Sequence, residues 1–130
     1  AVRIAFRREN IIKNKLWFSI MFGGGCSYSH GEDSLFLREA IKKHLTIITS
    51  NITIGKTDIG NSSWFEGYTE KFFYDKGALI RAMFPRWYFL LCWFYYPIRF
   101  KKITGLAHLY ISKLMLKGAR EYIKKGENVN

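Results

Sequence analysis

The stretch WFEGYTEKFFYDKGALIRAMF, residues 64–84, has the spacing of a helix that buries one side. Its large apolar residues recur at intervals of four and seven, which brings side chains to one helical face. These residues are Tyr68, Phe72, Leu79 and Met83. Gly77 is a weak point inside the pattern, and Pro85 ends it because proline cannot continue a helix. The stretch therefore predicts a helix from about residue 68 to 84.

The sequence after this helix combines large rings with positive charge. The ten residues from Trp87 to Tyr96 carry no charge, and a bilayer span needs ~20 apolar residues, so this run is too short to cross a membrane. ITGLAHLYISKLMLKGAREYIKK, residues 103–125, predicts an amphipathic helix with cations at intervals of three and four residues. These cations are Lys113, Lys117, Arg120 and Lys124.

Two segments N-terminal to residue 64 are predicted to be β-strands. AVRIAF (1–6) alternates in polarity, and LTIITSNITI (45–54) is rich in β-branched residues. A short helix is predicted between them, with Glu32 and Asp33 in its first turn, where acidic groups complement the helix dipole. This mixture predicts an α/β fold in which AVRIAF is an internal strand of a larger sheet. The start without Met, inside such a strand, leads us to expect a fragment.

The composition limits the class of protein. A chain of 130 residues forms one folding unit, and its 48% hydrophobic and 18% aromatic content argues against a disordered tail. The net charge is +11, and residues 81–125 contain ten basic groups with Glu121 as their only acid. Basic and apolar character together favour an anionic membrane over a nucleic-acid groove, so we expect no nucleic-acid partner. Cys26 and Cys92 form neither a disulfide framework nor a metal-ligand pattern.

FGGGCSYSHGEDSLF, residues 22–36, places three glycines ahead of Glu32 and Asp33. A phosphate-binding loop leads into a helix start that carries Lys and a hydroxyl, whereas two carboxylates there repel phosphate by roughly 1–4 kcal/mol per charge pair at 4 Å. The acid pair suits a general base that takes a proton from a substrate hydroxyl. On the residues alone, the alternative is that the pair only caps and charges the helix.

Several separated stretches resemble one family. FGGGCSYSHGEDSLFL is similar to the segment of inverting family-two glycosyltransferases, of the GT-A fold, in which a glycine-bearing loop leads to a Glu-Asp pair. SSWFEGYTEKFFYDKGALI (62–80) and the aromatic, basic tail resemble the later segments of a branch of this family that makes bacterial surface polysaccharide. The resemblance covers about residues 1–125, and the chain is similar to the C-terminal, acceptor-side part of such an enzyme.

The resemblance implies a division of roles within the acid pair. Asp33 would deprotonate the acceptor hydroxyl as it attacks the anomeric carbon of a nucleotide sugar, and Glu32 would hold the acceptor or the geometry of the pair. Family members bind the donor with Mg²⁺ or Mn²⁺ through an Asp-x-Asp motif in an earlier half. No two of Asp33, Asp58 and Asp75 are separated by one residue. We therefore expect the metal only in the full-length enzyme, none in this segment, and no activity of the segment alone.

The resemblance also implies boundaries and substrate contacts. We expect the acceptor-side part of the GT-A domain at 1–66, a helical C-terminal extension at 67–125 and a disordered tail at 126–130. Trp64 is a sugar-stacking residue or the start of a packed helix, and His30 is close enough to the acid pair to touch substrate. The predicted substrate-binding residues are Gly24, Gly25, His30, Ser63 and Trp64.

The aromatic run needs a place to bury its rings. The alternatives are the protein core, another copy of the chain in a homo-oligomer, or the headgroup level of a membrane. The predicted membrane-facing residues are Trp87, Trp93, Lys113, Lys117, Arg120 and Lys124. The transferase would then be cytoplasmic and peripheral, at the inner face of the bacterial plasma membrane. The rival function is a non-enzymatic basic amphipathic module that binds anionic membrane or polymer.

Overall fold

A computed structural model describes residues 4–53 and 67–127, with side chains as far as Tyr122. The chain within these ranges is helical. Its elements are α1 (Arg8–Lys13), α2 (Glu32–Lys42), α3 (Glu70–Met83), α4 (Tyr88–Leu90), a π-helical segment (Leu91–Tyr95), α5 (Tyr96–Thr104) and α6 (His108–Glu127). The three helices predicted from periodicity are confirmed as α2, α3 and α6.

The predicted α/β fold, part of a GT-A domain, is wrong, because the described ranges contain no β-sheet. Residues 4–6 and 45–53, both predicted as strands, take no regular secondary structure, and the β pairing recorded is one isolated parallel bridge between Phe22 and Tyr28. A strand requires a backbone partner, and β-branched composition alone supplies none. Ile48 and Ile52 are accordingly 83% and 77% exposed.

Helices α3 and α6 meet with their backbones in contact. A Cβ atom at Gly77 of α3 would lie 1.9 Å from the carbonyl oxygen of Met115, and one at Gly118 of α6 would lie 1.9 Å from that of Tyr74. Helix axes are normally held about 8–10 Å apart by the side chains at their contact. The absence of a side chain at both positions therefore lets the two backbones touch. Gly77, a weak point in the isolated helix, is required by the packing.

The main core lies between this helix pair and the helical residues 88–104. Its buried members are Phe73, Ile80, Cys92, Phe100, Ile111, Met115, Leu116 and Ala119. A second cluster joins the segment of residues 22–31, which we call the glycine loop, to α3 through Phe22, Tyr28, Ala78 and Leu79. A third holds α2 against the preceding segment through Leu16, Phe36 and Ala40.

Two tyrosine–carboxylate hydrogen bonds add to the contact between α3 and α6. Tyr74 donates to Glu121 over 2.6 Å, and Tyr110 donates to Glu70. Burial, and then the hydrogen bond to Glu121, raises the pKa of Tyr74. Its hydroxyl therefore keeps its proton and remains a donor.

The aromatic run is helical, and one side of it is buried. Pro97 lies at the start of α5 and has no N–H to offer to the carbonyl of Trp93, four residues earlier. The Ser112 hydroxyl of α6 is buried and lies 3.2 Å from that carbonyl and 2.9 Å from the carbonyl of His108. A buried carbonyl normally requires such a partner. This contact ties the π-helical turn to α6.

The backbone contact is tested by replacing Gly77 with alanine, because the contact decides whether the substitution stabilises or destabilises the fold. In an ordinary helix interior, Gly→Ala stabilises by roughly 0.5–1 kcal/mol. Here we expect Gly77→Ala and Gly118→Ala each to lower the free energy of unfolding by about 1–3 kcal/mol, because the added methyl forces the helices apart. Urea denaturation measures this change.

The control for these variants is Lys113→Ala on the exposed face of α6, which should stay within about 0.5 kcal/mol of the parent. The double variant Gly77→Ala/Gly118→Ala should cost less than the sum of the two, because one separation relieves both clashes. A stabilised Gly77→Ala protein would show that the two backbones do not touch.

Candidate functional site

Glu32 and Asp33 begin α2 directly after Gly31. Gly31 has φ 115° and ψ −2°, a left-handed conformation that glycine adopts without strain. A Cβ atom at this position would lie 2.6 Å from a methyl carbon of Leu79 on α3. The helix start has no side-chain cap, so its close approach to α3 fixes where the acid pair lies.

The glycine loop closes into a compact turn ahead of the acids. Gly23 N–H donates to the Tyr28 carbonyl over 2.8 Å, and Tyr28 N–H donates to the Met21 carbonyl over 3.0 Å. Gly24 and Gly25 lie exposed at the outer end of this turn. The carboxyl carbon of Glu32 lies 3.4 Å from the place that a Cβ atom would take at Gly23. The turn and the first acid are therefore neighbours in space.

A buried carboxylate anchors the loop to α3. Asp75 is fully buried, and its Oδ2 accepts hydrogen bonds from Ser29 N–H (2.9 Å), Ser29 Oγ (2.6 Å) and Lys71 Nζ (2.7 Å). A buried charge is costly unless it is paired and hydrogen-bonded. Movement of the loop that breaks the two Ser29 contacts would leave the buried Asp75 with Lys71, its neighbour on α3, as its remaining hydrogen-bond donor. We call this group of Ser29, Lys71 and Asp75 the loop anchor.

Sequence reasoning missed the loop anchor, because Ser29 and Asp75 are 46 residues apart. One signal was present. Asp75 falls at helical spacing between Phe72 and Leu79, on the face of α3 that was predicted to be apolar. A carboxylate on such a face needs a partner from another element, but the sequence does not say which.

His30 packs between the loop and α3. Its imidazole stacks on Phe72 with ring centroids 5.3 Å apart. Nδ1 lies 3.3 Å from Ser29 Oγ, whereas Nε2 is buried and has no hydrogen-bond partner among the described residues. Burial, followed by the charge of Lys76, lowers the pKa of His30, and Asp75 and Glu32 only partly oppose this. The imidazole is therefore neutral at pH 7 and can donate or accept one further hydrogen bond.

The other predicted site residues divide into three groups. Ser63 and Trp64 lie outside the described residues, as does the side chain of Lys124. Trp87 is 63% exposed, but Trp93 is half-buried and packs against the main core. The remaining cations, Lys113, Lys117 and Arg120, are exposed on α6. The structure brings the glycine turn, His30 and the acid pair together.

Among the described residues, no three His, Cys, Asp or Glu side chains form a group that could hold a metal ion. The described residues therefore do not fit the divalent metal that the resemblance implies for a complete enzyme. Cys92 offers no reactive thiol either, because burial raises its pKa to about 12.

Comparison of the chain with protein-family models, with curated proteins and with solved structures finds no match. The resemblance to family-two glycosyltransferases thus rests on the quoted stretches of sequence. Within residues 4–53 and 67–127, no helix has the length and apolar character to span a bilayer.

Ser29→Ala tests the loop anchor. It removes the 2.6 Å hydrogen bond to Asp75, and a hydrogen bond to a charged group is worth about 1.5–3 kcal/mol. We expect the free energy of unfolding to fall by about that amount. The control, Glu39→Ala, removes the surface ion pairs with Arg38 and Lys42 and should cost at most about 1 kcal/mol. Equal effects of the two variants would contradict the anchoring role.

The lowered pKa of His30 gives stability a pH dependence of defined sign. Above pH 6.5, the ordinary pKa, His30 is neutral in both states. As pH falls below that value, the unfolded chain binds the proton first, so stability declines until the folded pKa is reached. NMR titration of the imidazole should show a pKa below 6.5.

Matched variants separate this effect from other titrating groups. His30→Asn should reduce the loss of stability between pH 7.5 and 5.5, measured by urea denaturation. His44→Asn changes an exposed imidazole that is outside the site and should keep the wild-type loss. An unchanged pH profile in His30→Asn would contradict the assigned environment.

Proposed function

We propose that the chain supplies the general base of an inverting glycosyltransferase that makes polysaccharide or glycolipid. The observation that carries the proposal is the acid pair at the start of α2, next to the glycine turn and tied to α3 by the loop anchor. The resemblance of residues 22–37 to family-two glycosyltransferases supports it. The substrates would be a nucleotide-sugar donor and a hydroxyl acceptor.

The proposed chemistry is a single displacement with Asp33 as general base. The acceptor hydroxyl oxygen attacks the anomeric carbon while the Asp33 carboxylate takes the hydroxyl proton. The bond from that carbon to the donor's phosphate oxygen breaks, and its electron pair leaves with the nucleoside diphosphate. Attack from the face opposite the leaving group inverts the anomeric configuration. Asp33 lies in the first turn of α2, where a negative charge complements the helix dipole.

The local geometry supports different roles for the two acids. Adjacent residues of a helix point in different directions, and Glu32 lies against Gly23. We therefore assign Glu32 to holding the turn or the acceptor, and Asp33 to the proton transfer. His30 is neutral and remains a predicted substrate contact on the strength of its place beside the acid pair, since its Nε2 is buried.

The proposed place of reaction is the cytoplasmic face of the bacterial plasma membrane, with the protein bound peripherally. Lipid-linked acceptors are presented at such a surface. Donor binding and any Mg²⁺ or Mn²⁺ belong in this proposal to a full-length enzyme. Ser63 and Trp64 remain predicted substrate contacts.

A rival function is favoured by the charge. Residues 76–120 contain nine Lys and Arg residues and no Asp or Glu. A non-enzymatic module that binds anionic membrane or polymer would need this charge and would not need Asp33. The two functions therefore differ in what they predict for that one carboxylate.

Asp33→Asn in the full-length natural protein is the deciding variant. We expect turnover to fall by about 10²–10⁴-fold, the usual contribution of a positioned general base, with an unchanged circular dichroism spectrum. The assay follows nucleoside diphosphate release and sugar transfer to membrane extract, with UDP-glucose, UDP-galactose and UDP-N-acetylglucosamine as donors. Glu39→Gln, further along α2, is the control and should keep wild-type turnover.

Two results would contradict the proposal in different ways. Wild-type turnover in Asp33→Asn would remove Asp33 from the base role. Lack of transfer by the wild-type protein from every donor, together with binding to anionic polymer, would favour the non-enzymatic module.

A further inference from the structure

Helical residues 88–104 have one buried and one exposed side. Cys92, Pro97 and Phe100 are buried, and Cys92 and Phe100 belong to the main core with α3 and α6. The opposite side carries large apolar side chains, each about half exposed or more. With Trp87 included, these are Trp87, Phe89, Leu90, Phe94, Tyr95, Ile98 and Ile103. We call this set the outer aromatic face.

Exposed cations border the outer aromatic face. They are Arg86, Arg99, Lys101 and Lys102. Ile98, Lys101, Lys102 and His108 line one open concavity, so apolar and cationic groups meet at a single place on the surface. Because residues 76–120 contain no Asp or Glu, no carboxylate of that stretch neutralises these cations.

We propose that the outer aromatic face docks on an anionic lipid bilayer. Trp, Tyr and Phe side chains partition to the boundary between headgroups and acyl chains, and bordering Lys and Arg attract anionic headgroups. The face thus offers both contributions that peripheral attachment needs. Insertion is shallow, since among the described helices none has the length and apolar character of a span.

Charge argues against a second copy of the chain as the occupant. A symmetric dimer through this face would bring the same four cations of each copy together, without any acid from residues 76–120 to pair with them. The apolar half of the face also needs an apolar environment. An anionic bilayer satisfies both requirements at once.

The cations of α6 lie on a different surface. Lys113, Lys117 and Arg120 are exposed on the side of α6 opposite its buried residues Ile111 and Met115. Exposed apolar residues of α6 are confined to Leu109 and Tyr110 within its described side chains. We therefore assign the three cations to a solvated face, and their removal provides a matched control.

Docking on lipid would hold the proposed transferase at the membrane where its acceptor lies. This purpose rests on the function proposed above. Its test needs no turnover, because it measures the intact chain on vesicles alone. Asp33→Asn should bind vesicles as the wild type does. The transferase proposal and the docking proposal can therefore fail independently.

Vesicle flotation in 0.1 M NaCl tests the docking surface. The probes are vesicles of phosphatidylcholine alone and of phosphatidylcholine with one quarter phosphatidylglycerol. We expect binding at least about 25-fold tighter to the anionic vesicles, the factor that Lys101 and Lys102 alone contribute. Lys101→Gln/Lys102→Gln should weaken that binding about 25-fold, which corresponds to about fivefold for each surface cation. Lys113→Gln/Lys117→Gln removes the same charge from α6 and should change it less than about twofold, because surface charges are screened beyond about 10 Å at this salt concentration.

The apolar contribution is tested by Leu90→Ser/Phe94→Ser. Both side chains are about half exposed, so the fold should persist, which circular dichroism checks. We expect at least a tenfold loss of binding to anionic vesicles. Equal binding to neutral and anionic vesicles, equal losses in the two lysine pairs, or full binding by the Ser variant would overturn the proposal. A dimer in sedimentation equilibrium that Leu90→Ser/Phe94→Ser dissociates would overturn it in favour of a second copy.

Discussion

The backbone contact between α3 and α6 sets the geometry on which the rest of the structure depends. Gly77 and Gly118 let each helix approach the other without an intervening side chain. The two helices form one side of the main core, and residues 88–104 form the other. The same placement of α3 directs Asp75 and Leu79 towards the glycine loop. The acid pair is thus positioned by a helix contact in which it takes no part.

The glycine loop, residues 22–31, has a flexible type of sequence but a fixed attachment to α3. Glycines permit the left-handed turns at Gly23, Gly25 and Gly31, but they also increase the freedom of the unfolded loop. Asp75 offsets that freedom by accepting two hydrogen bonds from Ser29 of the loop on one carboxylate oxygen. A carboxylate that must meet a substrate hydroxyl within hydrogen-bond reach benefits from such an attachment.

Local periodicity was sufficient to predict α2, α3 and α6, because an amphipathic helix satisfies its own backbone. It failed for residues 45–53, since a strand depends on a partner that composition does not reveal. It also failed to predict that Trp93 packs on the core whereas its neighbour Phe94 is exposed. The π-helical turn shifts the phase of the helix, so faces assigned at 3.6 residues per turn are displaced after Leu91. The loop anchor needed contacts between distant residues, which one sequence does not contain.

The burial of Cys92 has a practical consequence for spectroscopy. The chain has two cysteines, and Cys92 is fully buried with its thiol protonated at neutral pH. Cys26 is partly accessible within the glycine turn. Alkylating reagents attack the thiolate of accessible cysteines, so a maleimide fluorophore would label Cys26 in the unmodified chain. Such a dye would report opening of the turn directly, without any engineered attachment point.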